Sequence, residues 1–300
     1  MARSLWRKNE PSFKSSHPTG GRDQGHVIMF RHLRGTPPGG RPALGTIDVE
    51  RDRGLVTLTF NRPEKKNALN RESWDELRDL LHEIAGTPTD RALMLTGAGG
   101  NFSSGADLSG QSINDALPIV AEMRNVGDIV LRLQRLPIPT LAKIDGVAVG
   151  VALGLALACD LVIASDRARL IEIFPRRGLA LDGGSSWFLP RLVGLQKAKE
   201  LAFFGEDVHA TDAVTMGLIN KVVPTDELDD AAADWARRLA EGPTTALALS
   251  KRMLNNSFAM SLDQALEDEA HSQHICYTTK DLPEAMMAFF EKRDPVFQGR

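Results

Sequence analysis

The spacing of apolar residues changes along this 300-residue chain, and the changes predict its elements. Leu55-Val-Thr-Leu-Thr-Phe60 alternates and is rich in β-branched residues. Together with Gly45-Thr-Ile-Asp-Val-Glu50 it predicts a hairpin turned at Arg53-Gly54. Trp74, Leu77, Leu80, Leu81 and Ile84 recur at helical spacing, and Asn70 is suited to cap a helix beginning near Arg71. Short apolar runs at 92–96, 140–144 and 161–164 predict buried strands. Ile119, Met123, Val126, Val130 and Leu133 predict one long amphipathic helix from Asp115 to Leu136, ended by Pro137 and Pro139. The small-residue run from Gly146 to Gly154 reads as a helix opening, with the helix starting at about Gly150. After Pro190 strand signals nearly vanish, and helices are expected over 195–204, 211–216, 228–240, 244–255, 262–274 and 282–291. Repeated strand and helix units followed by helices place the chain in the α/β class.

Residues 1–45 hold eight Lys and Arg against two acids, with Pro, Gly and Ser between them, and are expected to form a disordered basic extension. The remainder is expected to divide into an α/β core over 46–195 and a helical region over 196–300. A hydrophobic content of 42%, 25% charged residues and a net charge of -3 are ordinary for a globular protein and disfavour nucleic acid as a partner. The best apolar run, Val147 to Ala158, falls short of the roughly 18 residues needed to span a bilayer. Only Cys159 and Cys276 occur, so no disulfide framework is indicated; without a secretory pattern, the expected location is cytoplasmic.

Several chemistries lack their motifs. No Gly-Lys-Ser/Thr follows a glycine loop, the dinucleotide fingerprint is missing, and no Gly-x-Ser-x-Gly surrounds a serine. The seven histidines form no metal-ligand pattern, so neither a metal nor a prosthetic group is expected. What remains is a pair of turns, each after a strand: Phe102-Ser-Ser-Gly-Ala-Asp107 and the run from Gly146. Such turns can converge two backbone N–H groups on one oxygen, each worth roughly 3 kcal/mol toward an oxyanion when preorganised. The competing explanation is close packing at small residues and an ordinary glycine turn. Further on, Leu181-Asp182-Gly183-Gly184-Ser185 offers one acid, either a proton carrier or an N-cap for the helix that follows.

Four motifs, ordered and correctly separated, carry a resemblance. They are Asn61-Arg-Pro-Glu-Lys-Lys-Asn-Ala-Leu69, Phe102-Ser-Ser-Gly-Ala-Asp-Leu108, the stretch from Pro139 to Gly150, and Ala158-Cys-Asp160. The chain from about 46 to 297 resembles the enoyl-CoA hydratase/isomerase family, or crotonase superfamily. The resemblance implies a crotonase-like ββα spiral core with a helical C-terminal region that carries a trimerisation segment, assembly as a homotrimer or a hexamer of paired trimers, and a coenzyme A thioester as substrate. It places the oxyanion-hole N–H groups on Ala106 and Val151, where Val151 stands in place of a glycine. It places Lys65, Lys66, Ala68, Ala106 and Leu108 along the coenzyme A groove.

The two glutamates that hold water in hydratases of this family correspond to Gly154 and Phe174, so both carboxylates are missing. Glu172, two residues before the second position, is expected to point elsewhere. Asp182 matches the acid position of the enoyl-CoA isomerases of the family, which makes it the catalytic candidate. Glu122, Phe174 and Trp187 are candidates for the acyl pocket. The implied reaction is migration of a 3-enoyl-CoA double bond to the 2-position. Hydration or another lyase or hydrolase reaction of the family is the first alternative, and a non-catalytic acyl-CoA binding protein the second.

Overall fold

The computed structural model describes residues 45–109 and 119–300. The expected extension over 1–45, apart from Gly45, and the 115–118 start of the long helix fall outside these residues. The described residues belong to one compact unit.

Strands β1 (Ile47–Asp52) and β2 (Leu55–Phe60) make the expected antiparallel hairpin. Arg53 and Gly54 take positive φ, 47° and 87°, as a two-residue hairpin turn requires. Four parallel strands follow: β3 (Ala92–Gly97), β4 (Thr140–Ile144), β6 (Leu161–Ser165) and β9 (Lys221–Val223), giving a six-stranded sheet in the order β1-β2-β3-β4-β6-β9. A second sheet has the order β5-β7-β8, built from β5 (Val147–Val149), β7 (Arg169–Ile171) and β8 (Asp207–His209).

Each of β4 and β6 turns after a few residues into a strand of the second sheet, and a helix follows. β4 leads to β5 and α3 (Val151–Ala158); β6 leads to β7 and, after a 3-10 turn at Phe174–Arg177, to α4 (Ser185–Phe204). The Gly146 to Gly154 run is therefore not one helix opening. Gly146 and Gly150 take positive φ and bracket a strand that pairs with β7 through Val147 and Arg169.

Helix α1 (Arg71–Gly86) covers one face of the large sheet, and α2 (Ile119–Gln134) packs against α1 and α3. Trp74, Leu77, Leu81 and Ile84 pack there against Val56, Leu58 and Phe60, and Asn70 Oδ1 accepts the Ser73 N–H at 2.9 Å, the expected cap. Helices α5 (Ala210–Thr215) and α6 (Leu228–Glu241) follow in sequence, and α6 covers the other face, where Leu228, Ala232 and Ala236 meet Leu141, Ile163 and Val223. Helices α7 (Thr244–Asn256), α8 (Leu262–Tyr277) and α9 (Asp281–Glu291) follow as expected.

Two expectations about elements need correction. β8 and β9 interrupt the helical region, because three-residue strands are too short to show an alternation. Helix α4 begins ahead of Pro190, which sits near its N-terminus, and the chain kinks instead at Gly194, with φ 75°.

Candidate functional site

The loop over 61–69 and the loop after β3 are stitched together by backbone-directed hydrogen bonds. Asn67 donates Nδ2 to the carbonyls of Ala98 and Asn101 at 2.8 and 2.7 Å, and its Oδ1 accepts the Arg62 N–H at 3.0 Å. Ser103 Oγ donates to the Asn67 carbonyl at 2.7 Å, and Arg62 pairs with Asp107 at 2.9 Å. Hydrogen bonds to Ser109 first, and the Arg62 guanidinium after them, hold the Asp107 carboxyl down at about 2.

This stitching fixes Ala106. The Leu69 N–H donates to the Gly105 carbonyl and the Asp107 N–H donates to the Leu69 carbonyl, while the Ala106 N–H between them has no backbone acceptor among the described residues. The same loop runs beside β5: Ser103 and Val147 to Val149 exchange hydrogen bonds, and a side chain at Gly105 would stand 2.7 Å from the Val149 carbonyl. A glycine is needed there, and its φ of 92° adds a second reason.

Val151 is the first residue of α3, so its N–H has no intrahelical acceptor. The preceding Gly150 donates to the Ile171 carbonyl at 2.8 Å, which ties the helix start to β7. Phe174 is buried with its ring against Gly150 and therefore backs this corner. Two unused N–H groups thus stand on neighbouring segments, one at a helix N-terminus where the dipole favours negative charge.

The turn over 182–184 packs onto the same corner. Gly183 lies against Val151, and a side chain built at Gly154 would collide with the Gly183 carbonyl. Asp182 does not cap α4. The N-cap is Gly184, without any side-chain bond, and Asp182 contributes only its backbone carbonyl, which accepts from Ser185. Asp182 Oδ1 is buried with no hydrogen-bond partner among the described residues, and burial pushes the carboxyl up to about 6.

Glu172, expected from the sequence to point elsewhere, lies near Asp182 and Ser185 instead. It is 3% exposed and neither of its oxygens has a hydrogen-bond partner. Burial pushes it up to about 7; the Ser185 hydroxyl opposes the rise, and the Asp182 charge adds to it. Ser185 Oγ is close enough for this influence but makes no bond of hydrogen-bonding geometry. The chain leaves extended geometry at Ile173, where φ is -62° and ψ -15°, so side-chain direction cannot be counted from Glu172 to Phe174 by strand alternation.

Gly184 also borders a cleft of about 930 Å³ between α2, the start of α4 and α7. Val130, Leu131, Trp187 and Phe188 supply apolar wall, and Arg124 and Arg252 supply positive charge. Trp187 forms part of this cleft wall, and Arg191 stacks over its ring at 3.9 Å. Glu122 is exposed on the first turn of α2 and is not part of the cleft wall. Lys65 and Lys66 are exposed on the 61–69 loop, Ala68 is buried beneath it, and Leu108 is 56% exposed beyond Ala106. Among the described residues no three His, Cys, Asp or Glu side chains gather as a metal site would need.

Residues 50–300 match the family model described as enoyl-CoA hydratase/isomerase. The chain is 36% identical over 253 residues to the 1,2-epoxyphenylacetyl-CoA isomerase of Escherichia coli, covering 83% of this chain and 97% of the relative. It is 38% identical over 256 residues to a probable enoyl-CoA hydratase of Rhodobacter capsulatus, covering 85% and 98%. The crystal structure of an enoyl-CoA hydratase from Bacillus anthracis superposes with a TM-score of 0.80 at 31% identity, covering 85% of this chain and all of that one. The ββα core and the C-terminal helices are those of the crotonase fold, and with matches of this length the chain belongs to the enoyl-CoA hydratase/isomerase family.

Proposed function

We propose that this protein binds an acyl-CoA thioester and moves the double bond of a 3-enoyl-CoA to the 2-position, with Asp182 as the proton carrier. One observation carries the choice of reaction. The two positions that hold the hydratase glutamates bear Gly154 and Phe174, and the Gly183 carbonyl occupies the space a side chain at 154 would need. The acid beside the free N–H groups is Asp182, which is released from capping.

In this reading the thioester oxygen accepts from the N–H groups of Ala106 and Val151. Asp182, as carboxylate, removes a C2 proton; the electron pair moves to the thioester oxygen, giving an enolate that the two N–H groups favour over the neutral carbonyl. The same carboxyl then delivers a proton to C4 as the C2–C3 double bond forms. A carboxyl raised toward neutrality is suited to both halves, since it is a stronger base than an ordinary aspartate and remains a competent acid. The same reading assigns Lys65 and Lys66 to the coenzyme A phosphates, Ala68 and Leu108 to the pantetheine, and the Trp187 side of the cleft to the acyl chain.

A second reading is favoured by a different observation. Glu172 and Asp182 are two carboxyls at one corner, so a displaced acid pair is available for hydration, and hydratase names are frequent among the relatives. Incubating the purified protein separately with 3-enoyl-CoA and 2-enoyl-CoA distinguishes the two. Double-bond migration without comparable water addition is expected, and Asp182→Asn is expected to lower the rate by about 10²–10⁴-fold. Rapid hydration of 2-enoyl-CoA by the wild type would overturn the isomerase reading. Binding of an acyl-CoA without turnover of either substrate would favour the non-catalytic alternative.

A further inference from the structure

Four buried side-chain oxygens have no hydrogen-bond partner among the described residues: both of Glu172, Oδ1 of Asp182 and Oγ of Ser185. Nine in ten or more buried polar groups in folded proteins are paired, so a cluster of unpaired ones at a single corner calls for a functional explanation. Among the described residues no cation is placed to offset the charge. Helix α3, packed behind the corner, consists of Val, Ala, Leu and Gly alone. Arg169 and Arg176 turn to Asp207 at 3.2 and 3.1 Å, and Arg191 lies over Trp187. Gly205 closes the backbone side of Glu172, since any side chain there would meet the Glu172 carbonyl at 2.7 Å.

We propose that Glu172 and Asp182 act as one carboxyl pair holding a single proton at neutral pH, so that Glu172 positions and sets the basicity of Asp182. Two uncompensated carboxylates in an apolar corner repel each other and resist joint ionisation, and a shared proton removes that conflict. Glu172 is the deeper of the two and keeps the proton, leaving Asp182 ionised and able to take one from substrate. The pair then holds two protons while the enolate exists and returns to one when C4 is protonated. No other reactant is needed. The inference deepens the isomerase reading and rests on it for the role of Asp182, but the pair itself is testable without turnover.

Infrared titration of the full protein reads the protonated-carboxyl stretch directly. In the wild type a buried carboxyl band is expected to persist into the range near pH 7 and to disappear by about pH 9. Glu172→Gln is expected to abolish the part of that band that persists at pH 7 and above, leaving only the Asp182 carboxyl at lower pH, and Asp182→Asn to move the Glu172 titration to lower pH, because the neighbouring charge is gone. Loss of the band by about pH 5 in the wild type, its survival at pH 7 and above in Glu172→Gln, or an unmoved midpoint in Asp182→Asn would overturn the pair. If Glu172→Gln does not fold, the comparison of wild type with Asp182→Asn decides alone. In the assay, Glu172→Gln is expected to lose the alkaline limb of the pH–rate profile while keeping the acid limb; a uniform drop with an unchanged profile would reduce Glu172 to a packing residue. A carboxyl pair seen by infrared in a protein inactive on 3-enoyl-CoA would keep this inference and remove the isomerase reading.

Discussion

Burial holds Asp182 and Glu172 at about 6 and about 7, against ordinary values of 3.8 and 4.5, so each releases its proton later in the folded chain than in the unfolded one. Between those values the folded state binds more protons, and stability therefore falls as pH rises through the window, with the full cost present above about pH 7. Replacing Glu172 by Gln removes an ionisation that costs up to about 3 kcal/mol at 1.36 kcal/mol per pH unit. Glu172→Gln is therefore expected to melt several degrees above the wild type at about pH 8 and together with it near pH 4, as calorimetry would show. Activity moves the other way at the acid end: kcat/KM is expected to fall as pH drops below about 6, when Asp182 is protonated. Gly154 supports a sharper prediction. Installing a glutamate there does not recreate a hydratase, because the new side chain meets the Gly183 carbonyl. Gly154→Glu is expected to lose about 3 kcal/mol or more of stability in denaturant unfolding, a clash combined with a buried acid, and to gain no water addition.

At the scale of elements, the donors are positioned by connections between loops more than by the strands and helices themselves. Asn67 adopts a positive φ of 57° and joins three backbone groups from two segments. Asn67→Ala is expected to destabilise by roughly 2–4 kcal/mol, since it leaves buried carbonyls unpaired, and to lower kcat more than it raises KM by loosening Ala106. Thermal melts and steady-state kinetics check both parts. The sequence showed where these loops are, through their glycines, asparagine and proline. It did not show that Asn67 reaches Ala98 and Asn101, because a hydrogen bond across 31 residues or more leaves no local periodicity. The hairpin, α1 with its Asn70 cap, β3, β4 and β6 were legible for the opposite reason: a strong period and a local cap decide them. β5, β7 and β8 have three residues each and exist because they pair with one another, so only the assembled sheet reveals them.

For the molecule as a whole, the C-terminal helices leave large apolar groups outside. Phe258, Leu262, Tyr277, Phe289 and Phe290 are each 72–75% exposed, and Phe203 and Phe204 on α4 are 68% and 65% exposed. Apolar surface of this kind marks contact with another molecule, and a second and third copy of this chain is the reading proposed. Sedimentation is expected to show a trimer or a hexamer, and the double change Phe289→Glu, Phe290→Glu is expected to weaken the assembly; a wild type that sediments as a monomer would remove the proposal.

By itself the sequence determined the α/β class, the order of most elements, and the absence of carboxylates at 154 and 174, since these follow from local spacing and residue identity. Only the tertiary structure decided that Asp182 does not cap its helix and that Gly183 excludes a side chain from 154. It alone placed Glu172 beside Asp182 in the same buried corner. Those are facts of proximity between segments brought together by packing, and proximity across the fold sets both the room a side chain has and the charge its neighbours impose.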